Sequence, residues 1–178
     1  ASRQMLAYLP ERFIPPSFLS GAEFITSMLD LYGQSHDIAR VGAVCEELDL
    51  STEALKKPVR SLSKGMTQKL GLAVCFLSGR DVYVLDEPMS GLDPIARVRV
   101  KRLLARLRGE GRTVLLTSHS LPDIEEICDH MAILHEGKIA WQGAPSVLRE
   151  QSGGQPLEAA FLECIESCDR TTEAERMH

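Results

Sequence analysis

The segment Val82-Tyr83-Val84-Leu85-Asp86-Glu87-Pro88 decides how this chain is read. Its first four residues are apolar without a break, β-branched and aromatic in character, which suits a strand buried on both faces of a parallel sheet. Asp86 and Glu87 follow at the carboxyl end of that strand, the edge at which open α/β sheets bind ligands. Two adjacent acids there suit a divalent ion and an activated water acting on a phosphate. The plainer alternative is a pair of solvated or ion-paired acids that close a strand.

Working outward, Leu62-Ser63-Lys64-Gly65-Met66-Thr67-Gln68 places a serine at the start of an apolar helix running to about Leu77. Such a start presents backbone N–H groups and a positive dipole end to an anion; Ser63 adds a hydroxyl and Gly65 permits close approach. An ordinary serine N-cap is the competing reading. On the other side, Ser90-Gly91-Leu92-Asp93-Pro94 reads as a turn, with Asp93 as N-cap and Pro94 at the first helical position. Thr113 to Thr117 predicts a second buried strand, ending in Ser118-His119, which puts a histidine at the same carboxyl edge as the two acids.

The remaining pattern is that of an α/β core with a helical insert. Ser20-Gly21-Ala22-Glu23 is a capping box opening a helix with Ile25, Met28, Leu29 and Tyr32 on one face, ended by Gly33. A second helix is predicted from about Asp37 to Leu48, followed by a turn-rich connection from Leu50 to Ser61. Pro94 to Arg108 is a helix with Val100, Leu103, Leu104 and Leu107 on one stripe, and its place between two strands implies parallel pairing by a right-handed crossover. A short helix from Leu121 to Cys128 and a hairpin turning at Glu136-Gly137 follow; the polar tail after Cys168 is expected to fray.

Composition sets bounds on partners. Lys plus Arg number 20 against 25 for Asp plus Glu, and a net charge of −5 argues against nucleic acid as a ligand. The five cysteines, Cys45, Cys75, Cys128, Cys164 and Cys168, show no zinc spacing, so reduced thiols are expected. Cys164 and Cys168 are spaced to share a buried helix face. No run approaches the roughly 20 apolar residues of a membrane span.

In their order and spacing these pieces resemble the ATP-binding-cassette (ABC) transporter ATPase subunits, of the export or multidrug type. The signature motif corresponds to Leu62–Gln68, the Walker B strand to Val82–Glu87, the D-loop to Ser90–Asp93 and the switch histidine to His119. Ala7-Tyr8-Leu9-Pro10-Glu11 looks like the Q-loop, and Leu157 to Leu162 like the end of many export-type members, so the likeness runs from about Met5 to Leu162. The fold it implies is α/β, a P-loop NTPase-like three-layer core with a predominantly parallel sheet plus a helical subdomain, N-terminally incomplete. Residues 1–156 would be the partial ATPase domain, with the helical subdomain at about 12–79, and 157–178 a C-terminal helix and tail.

The resemblance also implies roles. Glu87 would be the general base toward attacking water, and His119 would contact the γ-phosphate. Asp86 would hold Mg2+, with Glu11 as a second ligand that also reaches the nucleotide. Ser63, Lys64 and Gly65 would clasp the ATP of a second ABC ATPase subunit, homo- or heteromeric, and Asp93 would couple the two sites. Transmembrane permease subunits would be the other partner, which places the chain in the cytoplasm, peripheral on the membrane's cytoplasmic face. The transported substrate would be chosen by the permease.

Three departures from the family pattern stand out. Lys64 and Met66 occupy positions where glycine and glutamine are commonest, and Glu11 stands where glutamine is expected. No G-x-x-x-x-G-K-[ST] phosphate cradle occurs in the 178 residues. The expectation is therefore a C-terminal portion of a longer ATPase, marginally stable and inactive in isolation, with unpaired strand edges and uncovered apolar faces. Two alternatives remain at this stage: a non-catalytic half-cassette that completes or regulates a partner ATPase, and a soluble ABC ATPase with no transport role.

Overall fold

The computed structural model describes residues 6–176 of the backbone and the side chains of residues 6–170. Met5, where the resemblance begins, lies outside them. The chain divides into two compact units, split between Thr117 and Ser118.

The first unit is α/β. Strands β1 (Leu6–Leu9), β2 (Val82–Asp86) and β3 (Thr113–Thr117) form a parallel sheet in the order β1-β2-β3, with Leu9 opposite Leu85 and Asp86 opposite Thr117. Between β1 and β2 lie the helices α1 (Gly21–Tyr32), α2 (Ile38–Glu47), the short α3 (Thr52–Leu55) and α4 (Lys64–Leu77); α5 (Pro94–Gly109) joins β2 to β3. The predicted caps are present. Ser20 and Glu23 bond reciprocally at the start of α1, Gly33 ends it at φ 67°, and Asp37 caps α2.

The sheet is covered on one face. Ala7, Leu9, Tyr83 and Leu85 are buried, whereas Tyr8 is 52% and Leu115 63% exposed and Val84 between them is half-buried. Within the described residues β2 is thus buried on one face where burial on both was expected, and Tyr8, Val84 and Leu115 form an uncovered apolar face of the kind also expected above. Helix α4 lies close on the covered side. A Cβ placed on Gly71 would meet Leu9 Cδ1 at 2.6 Å and Phe13 Cδ1 at 2.9 Å, and the Phe76 ring stands 6.5 Å from that of Tyr83.

Polar ties lock the helices together. Lys69, although buried, donates from Nζ to the carbonyl and carboxylate of Asp49, at 3.2 and 3.3 Å. Arg99 on α5 donates to the Glu46 carbonyl at 3.0 Å, and Arg106 pairs with Glu47 at 2.6 Å, so the end of α2 is held by α5. Arg80 caps α1 through the Tyr32 carbonyl and lies over the Tyr32 ring.

The second unit holds α6 (Leu121–Ile127), the antiparallel hairpin β4 (Met131–His135) and β5 (Lys138–Gly143), α7 (Pro145–Gln151) and α8 (Leu157–Arg176). Glu136 and Gly137 turn the hairpin with φ of 46° and 77°, the doubly left-handed geometry of a two-residue loop. Its core is Ile133, Leu148, Leu157 and Ala160, with Trp141 and Cys164 packed against them. Helix α8 runs through the polar stretch after Cys168 to Arg176; residues 169–176 contain neither glycine nor proline. Among the described residues no helix is long and apolar enough to cross a membrane.

All five cysteines are free. Burial pushes the Cys75 thiol up to about 12 and Cys45 to about 11, so at pH 8 neither forms the reactive thiolate. Iodoacetamide at that pH is expected to leave both unmodified in the native protein and to label them once it is denatured; rapid native labelling of Cys75 would contradict the packing of α4. Replacing Gly71 with valine should destabilise the protein by about 1–3 kcal/mol through overpacking against Leu9 and Phe13, read as a lower denaturant midpoint; an unchanged midpoint would contradict the close approach.

Candidate functional site

The site is organised around one backbone position. β2 delivers Asp86 as its last residue, and Glu87 follows with φ 46°, a left-handed conformation that costs a residue bearing a Cβ. Pro88 behind it disfavours the right-handed alternative. Side chains from two other elements hold the turn. Thr117, at the end of β3, accepts the Glu87 N–H on Oγ1 at 3.0 Å and donates its own proton to Asp86 Oδ1. Gln68, in the second turn of α4, donates from Nε2 to the carbonyls of Glu87 and Pro88, at 3.4 and 3.1 Å. Both carboxylates stay half-buried at the carboxyl edge.

The start of α4 has the predicted form. Ser63 caps it, its Oγ accepting the Met66 N–H at 3.2 Å, which leaves the hydroxyl proton free to be donated. Ser63 and Lys64 are exposed. A Cβ on Gly65 would lie 3.0 Å from the Gly91 carbonyl oxygen, and one on Gly91, at φ 73°, would meet the Lys64 side chain at 3.3 Å. The Leu62–Gln68 and Ser90–Asp93 motifs therefore touch. Asp93 caps α5 by accepting the Ala96 N–H at 2.9 Å; that bond, with the nearby Lys69 charge, holds its carboxyl below the usual aspartate range. The plain capping reading thus holds for both residues and leaves their outward faces available.

Glu11 and Lys64 line one open cleft of about 550 Å³ together with Arg12, Phe13, Gln68 and Ser90. His119 is exposed, two residues beyond the end of β3, and belongs to the second unit. Among the described residues no group of three His, Cys, Asp or Glu side chains could enclose a metal. Mg2+ bound to a nucleotide asks for less, because phosphates and water fill most of its octahedron and one or two carboxylates complete it. Asp86, with one oxygen on Thr117 and the other uncommitted to that bond, fits such a ligand.

Thr117 and Gln68 were not singled out from sequence. Parallel pairing of the two strands carried the signal for Thr117, since it places the last residue of β3 opposite Asp86. Gln68 sits on an apolar helix, and its partners are 19 and 20 residues away.

Comparison with known proteins gives consistent results. The family described as "AAA domain, putative AbiEii toxin, Type IV TA system" matches residues 48–124. An ABC transporter ATP-binding protein of Synechocystis sp. is 38% identical over 146 residues, covering 80% of this chain and 41% of the relative. A lantibiotic transport ATP-binding protein of Streptococcus pyogenes is 34% identical over 106 residues, 60% of this chain and 44% of its own length. The chain therefore spans less than half the length of these two relatives. A solved structure described as the ATP-binding subunit of an ABC transporter matches with a TM-score of 0.84 at 30% identity, over 91% of this chain and 69% of that one. With the parallel sheet, the acids at its carboxyl edge and the capped, glycine-bearing helix start in place, this chain belongs to the family of ABC transporter ATP-binding proteins.

Proposed function

We propose that this chain carries the hydrolytic half of an ABC transporter's ATP site and turns ATP over to drive membrane transport, export in particular. The observation that carries the reading is the Asp86–Glu87 pair, pinned at the carboxyl edge of the sheet by Thr117. Glu87 acts as general base, taking a proton from the water that attacks the γ-phosphate. Asp86 holds Mg2+, aided by Glu11; the ion, when bound, offsets the charge on the phosphate oxygens. His119 steadies the γ-phosphate. Ser63, Lys64 and Gly65 present the first turn of α4 to the nucleotide of a second ATPase subunit, and Asp93 links the two sites across that interface. The permease partner holds the assembly on the cytoplasmic face of the membrane. Naming of the Streptococcus pyogenes relative for lantibiotic transport supports the transport role.

A second reading has its own observation. The 178 residues contain no G-x-x-x-x-G-K-[ST] run, so these residues on their own would serve as a non-catalytic half that completes a partner's site. Labelled ATP titrated against the lone chain, then in the presence of a partner that carries the phosphate cradle, separates the two: binding without a partner removes the second reading.

Two substitutions in the full-length gene product test the catalytic assignment. Glu87→Gln should lower the hydrolysis rate at least ~100-fold, the usual worth of a positioned general base, while ATP is still bound; turnover near the parent rate would remove Glu87 from the mechanism. Gly65→Asp adds a Cβ 3.0 Å from the Gly91 carbonyl and a negative charge facing a triphosphate. It is expected to abolish ATP-dependent dimerisation in light scattering without loss of nucleotide binding, whereas dimers formed at the parent ATP concentration would show that the start of α4 does not face nucleotide.

A further inference from the structure

We propose that Gln68 is a positioning residue that ties the signature helix to the hydrolytic carboxylate of the same chain, so that the seating of α4 sets the geometry at Glu87. The proposal rests on the role given to Glu87 above. Gln68 is 5% exposed on a helix whose other buried residues are mostly apolar. A buried amide is costly unless its protons are used. The bonds of its Nε2 go to consecutive carbonyls, those of Glu87 and Pro88, on a segment outside its own helix.

Those carbonyls belong to the strained turn. With φ at 46°, Glu87 keeps its conformation only while the peptide groups on either side are held. Thr117 holds the N–H side and Gln68 the carbonyl side. The two grips come from different elements: Thr117 from the neighbouring strand of the same sheet, and Gln68 from a helix whose first turn carries Ser63, Lys64 and Gly65. Lys64 and Gln68 are one helical turn apart, on a rise of about 6 Å, so a shift of the helix start is carried to the amide with little loss. Lys69, the next residue, anchors the same turn to Asp49 and leaves Gln68 as the contact toward the carboxylate. In a dimer whose signature helices face the partner's nucleotide, this contact lets capture of one nucleotide bear on hydrolysis of the other within a single chain.

The test uses the full-length gene product and two substitutions. Gln68→Leu keeps the volume and removes the donor; kcat should fall about 10- to 100-fold, the scale of a small misplacement of a catalytic group, while the KM for ATP and ATP-dependent dimerisation change less than about threefold. Combined with Glu87→Gln, it should cause no further loss in single-turnover rate, because both changes remove the same contribution. Gln68→Glu donates to the carbonyls only when its carboxyl is protonated, so its rate relative to the parent should rise as pH falls. An unchanged kcat in Gln68→Leu, an equal further loss in the Glu87→Gln background, or a flat relative pH profile for Gln68→Glu would each overturn the proposal. If Gln68→Leu does not fold, the pH profile of Gln68→Glu and its coupling to Glu87→Gln decide alone. Should Glu87→Gln itself hydrolyse ATP at the parent rate, the assignment of Glu87 fails first, which is a separate outcome.

Discussion

A glutamate with a left-handed backbone must be held there, and much of the first unit is arranged so that Glu87 is. At φ 46° its side chain leaves the β2 edge in a direction that a regular strand residue would not take. A preorganised carboxylate, fixed before its substrate arrives, is what a general base toward water requires, since freedom in its position subtracts directly from rate. The constraint is supplied by hydrogen bonds to backbone, at the N–H by Thr117 and at the carbonyl by Gln68. Thr117 meets Asp86 with the same hydroxyl, so the two residues proposed as metal ligand and base are joined in one three-residue contact. Their separate placement follows from geometry: the last in-register residue of β2 is bonded across the ladder, and the first residue beyond it is turned away.

Helix α4 is the element through which these demands meet. Its first turn is capped by Ser63 and exposed, its middle carries Gln68 and Lys69 to partners on other segments, and its Gly71 lets it lie against β1 and Phe13. A bulkier residue at 71 lifts the helix from the sheet, and the lift would be felt at Gln68 less than one turn away. The sheet itself is simple: parallel strands in chain order, helices on one side, and Tyr8, Val84 and Leu115 in register on the other. A sheet so covered is buried through every second residue.

Local patterns made much of this architecture legible. The apolar run before Asp86, the capping box at Ser20, the Ser63 and Asp93 caps and the Glu136-Gly137 turn each depend on residues within a few positions of one another, and all are present. What was not legible depends on distance in the chain. Enclosure of β2 could not be judged from its own composition, because Val82 and Val84 are as apolar as Tyr83 and Leu85, and only topology decides which pair is covered. Ala7–Glu11 was read as a loop motif, although Ala7–Leu9 belong to a strand paired to β2. The grips on Glu87 come from 19 and 30 residues away.

The most direct measurement of the central claim is the structure of the full-length gene product trapped with ATP and Mg2+ in its Glu87→Gln form. The account predicts that the side chain at position 87 lies within hydrogen-bond reach of a water in line with the γ-phosphate. It also predicts Asp86 on the metal side, φ at 87 still positive, and the Gln68 amide still on the carbonyls of residues 87 and 88. A nucleotide bound away from the carboxyl edge of β2, or a side chain at 87 turned from the triphosphate with those bonds broken, would contradict it.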